Sequence, residues 1–306
     1  MNISDVLQHN EQVEGRAYQY LLRNGLVQDE ACIRCGLLCR NSTPPRSPGY
    51  SFKYRCIRCQ INYNSFSATA LVGCKLRMSH IVFLLYSFIN NHSVKLAHRL
   101  LEDFMPSRIS KLTVRSWFRK FRRLVCRHIN HEINNTVLPG PVEIDECMLF
   151  RSKRGYEDRA RPYRNHIWVF GLKCRTTKKF VLIPLRFRTR GIIVQLILKH
   201  VAHGAWVYTD CWSAYINNRS RESYLEPWGY VHFYVNHSRH FVNPVIPSIH
   251  TNTIERLWRT TREFTRQNQP RAYFDEHLAI FYWNKIYTRE QRESMMNTWL
   301  RHLQPL

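Results

Sequence analysis

The chain is short of negative charge and of long apolar runs. Its 306 residues carry 22 Asp and Glu against 46 Lys and Arg, a formal charge of +24 with the positives spread along the whole length. A protein so far from neutral repels itself unless a partner cancels the charge, so the composition points to a polyanion, nucleic acid above all. The longest apolar run, Ile81 to Phe88, is too short to cross a bilayer, and Met1 to Gly15 holds acids and no apolar core. Neither a secretory signal nor a membrane partner is expected, and the reading is a soluble intracellular protein. Cysteines stay reduced there, so the ten in this chain are expected to be thiols or metal ligands.

The length allows one large domain or two to three smaller ones. Residues 5 to 24 read as a helix, with Val6, Val13, Ala17, Tyr20 and Leu21 on one side and a stop at Asn24-Gly25. Then come Cys32-Ile33-Arg34-Cys35, twenty residues rich in proline, and Cys56-Ile57-Arg58-Cys59. Two such knuckles match a zinc ribbon, each turn aiming two sulfurs at one ion to close a tetrahedron at about 2.3 Å. Cys32, Cys35, Cys56 and Cys59 are the expected Zn²⁺ ligands, with Cys39 as a possible substitute. The ribbon's apolar content is thin (Tyr50, Phe52, Tyr54), so the metal should supply much of its folding free energy.

Residues 76 to 130 change character. Leu76 to Asn90, Val94 to Glu102 and Leu112 to Asn130 each repeat apolar residues at helical spacing, a pattern that suits a helix-turn-helix-like module. The third helix carries Arg115, Arg119, Lys120, Arg122, Arg123 and Arg127 around an apolar stripe. It either reads a major groove or packs as a basic helix touching only phosphates.

After Pro139-Gly140-Pro141 the pattern turns to strands, at Val142 to Phe150, His166 to Arg175 and Lys179 to Arg186. A helix over Gly191 to Ala202, a strand over Trp206 to Thr209 ending on Asp210, and a strand over Val231 to Val235 follow. These describe a mixed sheet flanked by helices, an α/β fold. A helix then begins near Asn252 or Thr253, either of which can cap it, and repeats Ile254, Leu257, Trp258 and Thr261. Glu255 lies on the flank of that apolar face, with Arg259 and Arg262 below it. A final helix covers Asp275 to Tyr287.

Three acids stand out by position. Asp145 interrupts the first strand in an apolar setting, where an unpaired charge is costly. Asp210 ends the later strand, the edge where open sheets bind ligands. Glu255 sits on the first turn of the helix that follows. If the strands are neighbours and the helix crosses them, the carboxylates converge on a site for two hard cations, Mg²⁺ or Mn²⁺. Such a pair, about 3.5–4 Å apart, suits in-line phosphoryl displacement.

Three runs carry a family resemblance: Val142-Glu143-Ile144-Asp145-Glu146, Val207 to Tyr215, and Val235-Asn236-His237-Ser238 through to His250-Thr251-Asn252-Thr253-Ile254-Glu255-Arg256-Leu257-Trp258-Arg259. In order, interval and upstream ribbon they resemble Merlin-superfamily DDE transposases and related bacterial insertion-sequence transposases. The likeness covers about residues 30 to 290. It implies an RNase H-like catalytic fold with Asp145, Asp210 and Glu255 as the Mg²⁺-binding triad. Two departures matter: Arg262 stands where the family commonly has Lys, and Val245 to Ile249 replaces its usual Thr-Gly turn. Some relatives use Asn as the third residue, which keeps Asn252 as a rival to Glu255.

The resemblance implies a DNA transposase, an endonuclease and polynucleotidyl transferase acting on terminal inverted repeats and target DNA. A homodimer or larger assembly is expected in the synaptic complex, since two ends must be cut together, and a nuclear location if the host is eukaryotic. The expected organisation is an N-terminal helix (1–30), a zinc ribbon (31–62), a helical DNA-binding module (63–138), a catalytic domain (139–290) and a C-terminal tail (291–306). Arg151, Lys153, Arg154, Arg259 and Arg262 are candidate DNA-backbone contacts beside the triad. Trp258 reads as core, Trp212 and Tyr215 as packing or base-stacking groups, and His237 and His250 as structural or phosphate-contacting. A transposase-derived protein that only binds DNA, and a nuclease that cuts without joining, are the rival readings.

Overall fold

The computed structural model describes residues 3–7, 12–28, 31–32, 34–43, 50–67, 69–105, 109–150, 167–217, 219–236, 242–265 and 274–302. They divide into two compact units, Met1–Val125 with Tyr287–Leu306, and Cys126–Ile286. The candidate DNA contacts Arg151, Lys153 and Arg154, and His237, lie outside the described residues.

In the first unit the helix expected over 5 to 24 is two, α1 (Ile3–Leu7) and α2 (Val13–Arg23). Three short strands follow, β1 (Arg40–Thr43), β2 (Lys53–Arg55) and β3 (Asn62–Asn64), paired in that order as an antiparallel sheet. Next are α3 (Met78–Ile89), α4 (Val94–Phe104) and α5 (Lys111–Asn134), whose residues from Cys126 onward belong to the second unit. Helix α3 is buried almost all round, which its continuous apolar sequence requires. Helix α4 is capped by Ser93, whose hydroxyl accepts the Leu96 N–H. Helix α5 runs further than expected, with Val114, Trp117, Phe118, Phe121, Leu124 and Val125 buried. Over the expected C-terminal tail the structure has a helix, Arg289–His302, tied to α2 because Tyr20 donates to Glu293 at 2.9 Å and Asn297 to Tyr20 at 2.7 Å.

The second unit is a mixed five-stranded sheet with helices. Strands β4 (Val142–Phe150), β5 (Ile167–Cys174) and β6 (Phe180–Leu185) form an antiparallel meander. After α6 (Arg190–His200) come β7 (Trp206–Asp210) and β8 (Val231–Val235), both parallel to β4, in the order β6-β5-β4-β7-β8. The central strands β5 and β4 are buried over most of their length, as their apolar sequences demand. Helix α7 (Asn252–Thr265) buries the anticipated stripe of Ile254, Leu257, Trp258 and Thr261 and packs on β4 and β5. Helix α8 (Phe274–Ile286) lies against α7, with Phe281 and Tyr282 on Phe180. Among the described residues no helix is long and apolar enough to cross a membrane.

Candidate metal centres

The two knuckles are built alike. In the first, Gly36 N–H donates to Cys32 C=O and Cys32 N–H to Leu37 C=O; in the second, Gln60 N–H donates to Cys56 C=O and Cys56 N–H to Ile61 C=O. Gly36 and Gln60 occupy equivalent left-handed positions, with φ of 73° and 57°. Backbone N–H groups of Arg34 and Cys59 point at the sulfurs of Cys32 and Cys56 at 3.4 and 3.3 Å. The ligand atoms of Cys32, Cys35, Cys56 and Cys59 all lie within 4.8 Å of one another. Four thiols so gathered could hold a metal such as zinc. Cys39 stays outside the group, its thiol turned to the Leu37 carbonyl, so the substitute ligand is not needed.

The thiols do not shed their protons alike. Burial raises the Cys32 thiol, but N–H groups of Arg34 and Cys35 and the neighbouring thiols lower it to about 6. The Cys35 thiol, burial and Cys56 hold Cys59 up at about 12. Four thiolates side by side require a cation, as a tetrahedral thiolate site does. The small core beneath them comprises Cys32, Cys39, Tyr54, Cys56 and Tyr63, with Phe52 and Ile61 against it.

The acids come from three elements of the second unit. Val142 pairs with Val207 and Glu143 with Tyr208 in parallel, Asp145 and Asp210 each follow two residues further along these strands, and the Asp210 charge acts on Asp145. Asp145 and Glu255 line one open cleft of about 620 Å³ with Asn252, Arg256, Trp258, Arg259, Arg262 and Glu263. The carboxylates are not drawn as close as the thiols: among the described residues only the cysteine group brings three or more ligand atoms within 4.8 Å.

Both oxygens of Asp145 are oriented. Oδ2 accepts the indole N–H of Trp258 at 2.9 Å and Oδ1 the backbone N–H of Glu146 at 2.8 Å. Burial, with Glu146 and Asp210 nearby, pushes its pKa up to about 7 despite those donors. Asp210 Oδ1 accepts Trp212 N–H at 2.9 Å, which shapes the turn after β7. Glu255 is exposed on the first turn of α7 and accepts from Thr251 Oγ at 3.3 Å.

Helix α7 is capped from a distance. Neither Asn252 nor Thr253 caps it as expected; Oε2 of the fully buried Glu143 accepts the N–H groups of Thr253 and Ile254, each at 2.9 Å. Glu143 Oε1 takes Arg175 Nε at 2.7 Å, and Arg175 also donates to the carbonyls of Ser248 and His250. His250 Nδ1 accepts from Asn252 N–H at 3.3 Å, and burial with Arg175 alongside lowers its pKa.

No protein-family model and no curated protein matches this chain.

The remaining candidates fall into place as follows. Arg259 and Arg262 are exposed in the cleft, and Arg262 donates to Cys147 Sγ at 2.9 Å. Arg115 is exposed and Arg119, Lys120 and Arg122 half-buried on α5, in the other unit, where Lys120 lies over Trp117. Tyr215 is a packing residue, fully buried and donating to Glu146, while Trp212 is covered by the Arg188 guanidinium at 3.7 Å. Of the scattered cysteines Cys147 and Cys174 are buried, but Cys74, Cys126 and Cys211 are only partly so. Sequence reasoning missed Glu143, Arg175 and the polar role of Trp258; an acid two residues before Asp145, on the same strand face, was the one available signal.

Proposed function

We propose that the protein is a DDE-type DNA transposase. The reading is carried by the carboxylate arrangement: Asp145 and Glu255 line one cleft, and Asp210, at the end of the adjoining parallel strand, is near enough for its charge to act on Asp145. The donor set suits hard divalent cations, and an acid held up near neutrality by burial, and further by Glu146 and Asp210, is relieved by positive charge. Bound there, two Mg²⁺ or Mn²⁺ ions would supply activation of an attacking oxygen and stabilisation of the leaving one. Asp145, Asp210 and Glu255 would be the ligands, with Arg256, Arg259 and Arg262 contacting DNA phosphates beside them.

The sheet order supports an RNase H-like reading of the second unit, with three antiparallel strands and then two parallel ones added beside the first. Helices α3 to α5, with exposed arginines on α4 and α5, support a helix-turn-helix-like module, and with the zinc ribbon it would bind the terminal inverted repeats. The +24 charge supports DNA as the partner.

The test is cleavage of candidate transposon-end DNA with Mn²⁺. Asp210→Asn and Glu255→Gln should abolish cutting and leave end binding measurable; retained cutting overturns the assignment. Strand-transfer products from a pre-cut end separate a transposase from a nuclease. Asn252→Ala, expected to keep activity, decides between Asn252 and Glu255.

A further inference from the structure

We infer that Glu143 is a positioning residue which, with Arg175, registers the helix of Glu255 on the strand of Asp145; the inference rests on the metal-site reading above. Glu143 and Asp145 are two residues apart on β4 and so share a face of the sheet. Glu143 Oε2 holds the N–H groups of Thr253 and Ile254, the residues immediately before Glu255. One carboxylate therefore ties the first turn of α7 to the strand that carries Asp145. A negative group at a helix N-terminus is favoured by the free N–H groups and the helix dipole.

Arg175 fixes the other side of that joint. Its Nε donates to Glu143 at 2.7 Å, while its Nη atoms reach the carbonyls of Ser248 at 2.7 Å and His250 at 2.6 Å. The loop leading into α7 is thus held to the β5–β6 hairpin by the same pair. The guanidinium also lies 3.9 Å over the Tyr208 ring, on the strand that ends in Asp210. All three carboxylate-bearing elements meet at this ion pair. The fit of the pair to backbone groups on both sides makes it a gauge of where Glu255 stands relative to Asp145. Groups that orient metal ligands from behind commonly change metal affinity by ~10–100-fold when lost.

Two measurements on the full chain test this. In the wild-type protein, hydrogen exchange at the Thr253 and Ile254 amides should be as slow as at the interior amides of α7; exchange at open-chain rates overturns the cap. The paired variant Glu143→Gln with Arg175→Gln removes both buried charges together. It is expected to fold but to need ~10-fold more Mn²⁺ for half-saturation, read by electron paramagnetic resonance of free Mn²⁺. A folded variant with unchanged Mn²⁺ affinity overturns the positioning role. If the pair does not fold, Arg175→Lys, which keeps the charge and loses the fork, takes its place with the same expected direction. Absence of Mn²⁺ binding in the wild type would instead sink the transposase reading, and amide exchange still decides the cap.

Discussion

The indole N–H of Trp258 donates to Oδ2 of Asp145 at 2.9 Å, joining the apolar stripe of α7 to the acid of β4. Trp258 is 3% exposed and so belongs to the core, yet its one polar atom is spent on a candidate metal ligand. The contact depends on a third residue. Gly171 is the registered partner of Asp145 on β5, and a Cβ there would lie 2.5 Å from Trp258 Cζ2 and 2.6 Å from Cη2.

Gly171→Ala should therefore destabilise the second unit by about 1–3 kcal/mol, the usual cost of overpacking a tight core. Trp258→Phe keeps most of the packing and removes the donor. It should weaken Mn²⁺ binding by ~10-fold with a smaller loss of stability. Denaturant unfolding and Mn²⁺ titration of both variants check this, and equal Mn²⁺ affinity in Trp258→Phe would refute it.

The ribbon should hold about one zinc per chain, since its four thiols lie within 4.8 Å of one another, enough for one four-thiolate site. Elemental analysis after dialysis reads this directly, and less than half an equivalent counts against it. Cys56→Ser, or a strong chelator, should release the metal and remove hydrogen-exchange protection from β1 to β3, because the core beneath is small.

His232 makes the second unit sensitive to acid. Its ring is buried between Thr209 and Ser223, at 2.9 and 2.7 Å, and burial lowers its pKa from 6.5 to about 4. The unfolded chain takes up the proton near 6.5 and the folded one only near 4. The stabilising contribution is thus complete above 6.5 and is lost as pH falls towards 4, by up to about 3 kcal/mol. His232→Gln should flatten the pH dependence of unfolding in that window. An unchanged slope would show that His232 is not its source.

Arg259 and Arg262 face the cleft and should act on DNA through charge. Arg259→Gln and Arg262→Gln are each expected to lower the salt dependence of DNA binding by ~1 in the slope of log K against log salt. Arg115→Gln on α5 separates the two readings of that helix. A lower slope with unchanged sequence preference marks a phosphate contact, whereas relaxed preference at one base pair marks groove reading. Salt titrations with matched and scrambled end sequences measure both.

Much of the architecture was legible because its signals are local. The two cysteine knuckles announce four converging sulfurs through spacing alone, and the alternation and helical periodicity from Val142 to Thr265 locate strands and helices within a few residues. Chain breaks were read less well: the helix Arg289–His302 has a weakly amphipathic sequence, and only its contacts with Tyr20 reveal why it forms.

What the sequence by itself determined is which side chains could do chemistry: four thiols, one acid inside a predicted strand with two more at the ends of predicted elements, and a large excess of arginine and lysine. Only the tertiary structure decided how they are held. That Glu143 rather than Asn252 or Thr253 caps α7, that Arg175 joins the cap to the preceding loop, and that Gly171 leaves room for the indole on Asp145 are facts of strand register and helix docking. They link residues up to 113 positions apart. No local periodicity encodes such a pairing, because it is fixed when the sheet closes and the helix settles on it.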